Sequence, residues 1–458
     1  MQEDPKEEES SFALSDSEIQ SIEENLEEGR EEAVETAVAS LSAPDCAELL
    51  GKVSDENRHI LMDQHSSAIP PDAYVELDSE LCKDVLEDME APQVAEIISS
   101  LESDDALGVI ENLEADFQKE VIRRLPFKTR ISVEEGLSFS ENSAGRLLQK
   151  KYVSIPQTWT VEETIESLQA SSDEDIPEVF SDIFILTADS KLAGKVSLAR
   201  LIRSKSQTKL ESLALEEIHS IPASMDQEEV AQIFRRDYLL SAAVVDLEER
   251  MIGVITIDDV LGVIDEEAQE DILRLAGVNE ASIFQDVIAT TGSRFRWLLV
   301  NLLTAILASI IISLFDATIQ EIVALAILMP IVASMGGNAG TQALTVAVRG
   351  MAMREISNIN SFRIIWKETL VGTLNGFLFA VIIGLITTFW FENFELGIII
   401  AVAMLINLVV AGLFGAGIPI FLNRIGSDPA ISSTVILTTV TDVIGFLVFL
   451  GLAAIFLI

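Results

Sequence analysis

"ILMPIVASMGGNAGTQALTVAVRG", Ile327–Gly350, is the stretch on which the reading of this chain turns. It is apolar and longer than the roughly 20 residues that cross a bilayer, yet it carries Pro330, four glycines, Asn338, Thr341, Gln342 and Thr345. A polar group in hydrocarbon is costly unless it meets another polar group or water. Helical spacing puts the four polar side chains on one face, and Gly336 and Gly340 form a small-xxx-small pair suited to close helix approach. The stretch therefore reads as a membrane helix with one wet wall and one edge for tight contact.

The surrounding sequence supplies four more spans, so that five runs of suitable length lie at about Phe295–Phe315, Ile322–Val348, Thr369–Trp390, Leu396–Leu422 and Ala430–Ile458. Arg294 and Arg296 precede the first, Arg349, Arg354, Arg363 and Lys367 separate the second from the third, and Arg424 separates the fourth from the fifth. The loops "FDATIQE" and "FENFE" hold no basic residue. This sorting predicts a cytoplasmic N-terminus and an outer C-terminus in the cell (inner) membrane. Buried helices of a large soluble protein would not produce it.

In the last run, Thr434, Thr438, Thr441, Asp442 and Gly445 share a stripe. Asp442 lies about 12 residues in, or roughly 18 Å along a helix, near mid-bilayer. No basic residue in the spans partners it, so it reads as a cation ligand, with a proton relay or an inert protonated acid as alternatives. The three histidines, His59, His65 and His219, lie outside the spans, which removes an intramembrane zinc protease. The absence of a G-x-x-x-x-G-K-[ST] loop removes an ATP-driven motor on this chain. No enzyme is predicted.

The charge belongs to the other half. Up to Ser293 there are 23 Lys and Arg against 66 Asp and Glu, a net −43; beyond it 7 stand against 8. Cys46 and Cys82 form no disulfide or zinc pattern, which fits a reducing compartment, and the acidic start lacks the features of a signal peptide. Nucleic acid is not an expected partner. Residues 1–32 read as an acidic, disordered tail running into a helix. Then "MEAPQVAEIISS", "LESDDALGVIEN" and "LEADFQKEVIRR" follow at a twelve-residue step from Met89, and "LSAPDCAELLGKV" from Leu41 matches the first. Short helices stacked in a superhelical array over 33–140 explain this repeat. A second pattern is used twice between 141 and 266: a short strand, a helix begun by Thr160 or Asp226, two strands joined by a tight turn, and another helix.

"EERMIGVITIDDVLGVIDEEAQEDILRLAG" resembles the second half of a CBS-domain pair running into a connecting helix, and "MGGNAGTQALTVAVRGMA", with "IGSDPAISS" and "TDVIGF", resembles the MgtE family of magnesium channels. The resemblance covers about 35–458. It implies an all-α cytosolic domain, an α+β CBS pair, a connecting (plug) helix over 267–293 and an all-α polytopic membrane domain of five helices over 294–458. It also implies a homodimer in the lipid bilayer, with an ion path lined by the second and fifth spans and cytosolic domains that sense magnesium. By motif, Asp442 is similar to the pore carboxylate, Asn338 to the pore asparagine and Asp428 to the acid at the cytosolic mouth, with Thr438 on the same stripe. Asp259, Glu267, Glu270 and Asp271 resemble regulatory acids, and Glu102, Asp104 and Asp105 are candidates in the helical domain. The resemblance is incomplete at Gly262, where the family often has an acid, and at Thr434 and Val435, where it often has Asn-Pro or a small residue with Pro.

The expected function is a magnesium-selective channel for Mg2+ uptake, closed by internal Mg2+, with an adenine nucleotide such as ATP a further ligand open to the CBS pair. Facing carboxylates on so acidic a surface repel, and a divalent ion between them relieves that repulsion. The alternatives are a transporter coupling a divalent cation to sodium or protons, and a membrane-tethered nucleotide sensor whose spans only anchor it.

Overall fold

A computed structural model describes residues 14–172, 176–214, 219–278, 282–357 and 359–458, without the side chains of 429–432. It divides into two units, one of residues up to Glu267 with Ser282–Phe284, the other of Ala268–Ala281 with the remainder.

In the first unit the repeats fold as the spacing predicts, one short helix per step: Ala91–Ser100, Ser103–Glu111 and Ala115–Arg124. Each turns its apolar positions into a shared core with Leu49, Leu61, Tyr74 and Leu86. The acidic start, expected as a tail running into a helix, is described in part. Residues 1–13 lie outside the described residues, but Asp16–Glu27 is a helix, opened by a capping box between Ser15 and Glu18. Ile19, Ile22 and Leu26, three and four residues apart, are enough to anchor it in the core despite the surrounding charge.

The duplicated pattern makes two three-stranded sheets, β1 (Ser154–Pro156), β2 (Asp182–Leu186) and β3 (Leu192–Ser197), then β4 (Ser220–Pro222), β5 (Ser241–Val245) and β6 (Met251–Thr256). In each, the first strand pairs parallel with the second and the second antiparallel with the third. Thr160 and Asp226 cap the intervening helices through their side chains. Ser190 and Glu249 take positive φ in the two tight turns.

One expectation fails in the connection. The helix that follows β6 runs Ile257–Leu275 without a break at 267, and no single helix covers 267–293. It ends in a Schellman turn, with Gly277 at φ +74° and the Val278 N–H donating to the Leu273 carbonyl. A new helix starts at Val287.

That helix is span 1, Val287–Ser313. Span 2 is Ala324–Ala352, span 3 Ser361–Phe391, span 4 Phe394–Arg424 and span 5 Pro429–Phe456. All five are long and apolar enough to cross a membrane. Span 4 is the inner helix, with 56% of its apolar window buried within the chain against 6% for span 1. Span 3 starts eight residues earlier than its apolar run suggests, so Arg363, Lys367 and Glu368 are helical, and Glu368 is buried. A Cβ on Gly412 would overlap the Glu368 carbonyl oxygen, so the backbones of spans 3 and 4 meet there.

Candidate functional site: a polar membrane face and an acidic contact

On span 2 the two expected faces separate. Asn338, Thr341, Gln342 and Thr345 are exposed, while Gly336, Gly340, Ala343 and Leu344 are buried. Thr341 and Thr345 turn their hydroxyls back to carbonyls one turn earlier, at 2.9 Å each, and the Asn338 amide reaches Ser334 Oγ at 3.4 Å. The helix therefore takes up two hydroxyls and one amide N–H within its own length, and leaves the rest of the Asn338 amide facing outward. The glycine edge does not await a second copy. Gly336 packs on Asn407 of span 4, and Gly340 on Leu437 of span 5 and against Gly415 of span 4, because a helix without side chains there admits its own neighbours.

Span 5 packs directly on span 2. Its stripe is divided: Thr441 and Gly445 are buried, while Thr434, Thr438 and Asp442 are half-buried. Thr438 bonds back to the Thr434 and Val435 carbonyls. Asp442 sits one turn beyond Thr438, and no salt bridge to it occurs among the described residues.

At the start of span 5, Arg274 donates to Asp428 at 2.5 Å and also pairs with Glu270. Thr434 Oγ1 donates to the Leu275 carbonyl at 3.1 Å, satisfying an end of the helix that Gly277 terminates. Asp428, expected as the acid at the cytosolic mouth, is thus bound to a guanidinium, and Thr434 supplies the donor that ties the preceding helix to span 5.

The regulatory candidates fall into separate places. Glu102 is the N-cap residue of the helix Ser103–Glu111, whose first turn holds Asp104 and Asp105. The segment before β1 bonds both sides of this point. Lys150 N–H donates to Ser103 Oγ at 2.9 Å, and Gln149 Nε2 donates to Asp259 Oδ2 at 3.1 Å. Asp259 also accepts from the hydroxyl of Thr256 at 2.7 Å. The two strands of contact bring Asp259 to the acids of the helical domain. Burial, then the charges of Asp259 and Asp105, hold the Asp104 carboxyl well above the usual range. Burial and the charge of Asp259 push Asp105 up to about 6. Glu102, at the rim, is raised by partial burial and by Asp259, against the opposing charge of Lys151. Burial also raises Asp259, although the Thr256 hydrogen bonds oppose it.

Glu267, Glu270 and Asp271 do not join this group. Glu267 accepts from Gln227 Nε2 at 2.9 Å, Glu270 pairs with Arg274, and Asp271 lies beyond Glu267 in the second unit. Their helical spacing is real, but their partners differ. Among the described residues no three acidic, His or Cys side chains converge closely enough to chelate an ion directly. The helical-domain contact nevertheless leaves one buried Asp104 oxygen without a partner, and its donors are all hard oxygens of the kind Mg2+ takes while keeping several waters.

Two features escaped the sequence reading. Glu368 fell outside its expected span because the apolar run begins after it. Asn407 was hidden by the apolar residues of span 4, and only its burial against two glycines reveals it.

The family model described as a divalent cation transporter matches residues 329–452, one described as the MgtE intracellular N domain matches 41–142, and one for the CBS domain matches 210–266. The chain is 31% identical over 322 residues to "Magnesium transporter MgtE" of Bacillus subtilis (strain 168), covering 70% of this chain and 71% of that protein. It is 31% identical over 334 residues to the protein of the same name from Thermus thermophilus, covering 72% and 73%. Among solved structures it is similar to the soluble part of a magnesium transporter, with 22% identity, TM-score 0.48, and 55% of this chain and 98% of that one covered. It is also similar to the cytosolic domain of the Mg2+ channel MgtE in complex with ATP, with 26% identity, TM-score 0.49, and 54% and 99% covered. With matches in the helical, CBS and membrane regions and about seven-tenths of curated relatives aligned, this chain belongs to the MgtE family of divalent cation transporters.

Proposed function

We propose that this protein is a magnesium-selective channel whose pore closes when magnesium on the side of its soluble domains is high. The observation that carries the reading is the exposed polar face of span 2 next to the span that bears Asp442. Such a face suits water or another polar wall, not lipid, and a second copy of the chain supplies that wall across a twofold axis. Two Asp442 carboxylates with amide and hydroxyl oxygens then hold a hydrated Mg2+. The loop and helix-end arginines favour the side of the soluble domains as cytoplasmic.

Gating follows from the contacts below the pore. Arg274 on Asp428 and Thr434 on the Leu275 carbonyl tie the end of the helix Ile257–Leu275 to the start of span 5. The same helix begins with Asp259 in its first turn. Magnesium bridging Asp259 to Glu102, Asp104 and Asp105 steadies the helix and holds that tie closed. Without it, mutual repulsion loosens the contact and releases span 5. The division into a helical domain, a CBS pair and a membrane domain belongs to this proposal, as does an adenine nucleotide at the CBS pair, tested by calorimetric titration of ATP with and without Mg2+.

The full-length protein in vesicles loaded with a magnesium indicator tests the reading. Uptake that falls as Mg2+ on the soluble-domain side rises, with unitary currents in planar bilayers, is the expected result. Uptake that requires a sodium or proton gradient makes it a coupled transporter, and no uptake makes the spans an anchor.

A further inference from the structure

Asn407 lies near the middle of span 4, 13 residues after Phe394, with no exposed surface. Its Nδ2–H donates to the Val332 carbonyl of span 2 at 2.8 Å. A Cβ on Gly336 would overlap Nδ2, and one on Gly445 of span 5 would stand 2.9 Å from it. The amide therefore fills a slot that two other helices leave open by carrying glycine. Gly336 is two residues before Asn338, and Gly445 is three residues after Asp442. The slot lies behind the polar groups of both walls.

An aliphatic side chain would fill the slot more cheaply. The Asn407 Oδ1 is buried with no partner, and an acceptor left in that condition costs free energy. The single interhelical hydrogen bond offsets only part of this, since such bonds in membranes are modest. What the amide supplies and an aliphatic group does not is a directional tie from span 4 to the backbone of span 2, made while touching span 5. Ion selection needs such a tie. Mg2+ keeps its water shell and fixed octahedral geometry, whereas Ca2+ sheds water readily and accepts many geometries. A path that recognises the hydrated ion discriminates by the spacing of its walls.

We propose that Asn407 is a positioning residue for the ion path, pinning span 2 to span 4 against span 5 so that the Asn338 face and Asp442 keep the spacing that favours Mg2+ over Ca2+. This rests on the pore reading above. The bland counterpart is that Asn407 merely holds helices together.

The test is Mg2+ and Ca2+ uptake by the full-length protein in vesicles, normalised to folded protein. Asn407→Leu removes the bond at similar volume, and Gly445→Ala pushes the amide out of its slot with Asn407 intact. Each is expected to lower the Mg2+ to Ca2+ uptake ratio about three- to tenfold, the factor one such bond corresponds to. Because they act on one contact, the double variant falls short of the product of the two. Asn407→Ala, which removes the amide without adding an ionisable group, has the same effect if Asn407→Leu does not reach the membrane. An unchanged ratio in Gly445→Ala and in whichever Asn407 variant folds, with uptake of both ions changing in parallel, overturns the proposal. Asp442→Asn is measured beside them. If it conducts normally, the pore reading itself has failed, and if it is silent while the ratio in the Asn407 variants is unmoved, only the inference about Asn407 has.

Discussion

The acidic contact around Asp104 and the polar face around Asp442 handle negative charge in opposite ways. At the first, four carboxylates face one another, Asp104 keeps an unpartnered buried oxygen, and the shifts all run toward the protonated form. At the second there is one acid per chain, among threonines whose hydroxyls are occupied by their own helix. Dense charge binds a divalent ion and releases it only when the concentration falls, which is what a sensor requires. Sparse charge among neutral oxygens attracts the ion yet lets it leave, which conduction requires.

The largest effect expected follows from the sparse side. With one carboxylate per chain there is no substitute for it, so Asp442→Asn is expected to lower Mg2+ uptake by well over about tenfold, a loss of more than about 1.4 kcal/mol at the site. The protein should still reach the membrane, since the carboxylate has no salt bridge to lose among the described residues. Near-normal uptake in vesicles would erase the contrast between the two regions.

On the dense side, Asp104→Asn combined with Asp259→Asn removes both the repulsion and the reason to bind a cation. Basal uptake at low internal Mg2+ is expected to change little, while inhibition by internal Mg2+ weakens. Magnesium protection of the full-length protein against limited proteolysis, in the segment between the helical domain and β1, should be lost as well. Monovalent salt at equal ionic strength should not reproduce that protection in the parent protein, because it screens without bridging. Retained protection in the double variant would mean that these acids are only surface.

Protons report on the same contact. Asp105 is raised from 3.8 to about 6 by burial and by Asp259 and Glu102, and Asp104 is raised in the same direction. The folded contact therefore binds more protons than the separated chain between those limits. Its stability is full below about 4 and is lost as the pH rises through about 6. In Mg2+-free buffer, resistance to proteolysis at this contact should fall over that interval. Saturating Mg2+ should flatten the dependence, since the ion then replaces the protons. A rise in resistance with pH would reverse the assigned direction.

How much of this was legible depended on whether the deciding interaction was local. The twelve-residue repeats, the capping of the CBS helices by Thr160 and Asp226, and the polar face of span 2 are periodic features, and periodicity is written in the sequence. Glu267, Glu270 and Asp271 also have a periodic spacing, but spacing does not tell the partners, which are Gln227 from another element for Glu267 and Arg274 one turn further along the helix for Glu270. Gly336 and Gly340 announced a close contact without naming the partner, which is within the same chain. Asn407 sits in an apolar run whose composition says only that it spans a membrane. The break at Gly277 was hidden by helix-forming residues before it, and a glycine alone does not reveal its φ.

The smallest effect expected concerns Thr434, at the tie proposed to couple the two regions. Its hydroxyl bonds the Leu275 carbonyl at 3.1 Å, beside the stronger charged pair of Arg274 with Asp428. Thr434→Val keeps the shape and removes one neutral hydrogen bond, worth about 0.5–1.5 kcal/mol. Under the proposed gating the closed arrangement loses that amount and the open one loses nothing, so more internal Mg2+ should be needed to stop uptake. The inhibitory concentration should rise by a factor of about two to ten if the tie is made only in the closed form, following the same bond energy. Maximal uptake should not change, because Thr434 lies two turns from Asp442 along span 5 and bears no charge. Arg274→Gln should shift the inhibitory concentration in the same direction and further, since it also leaves Asp428 without its cation. If Thr434→Val lowers maximal uptake and leaves inhibition unmoved, Thr434 belongs to the conducting face and not to the tie, and the boundary drawn between the two regions has to move.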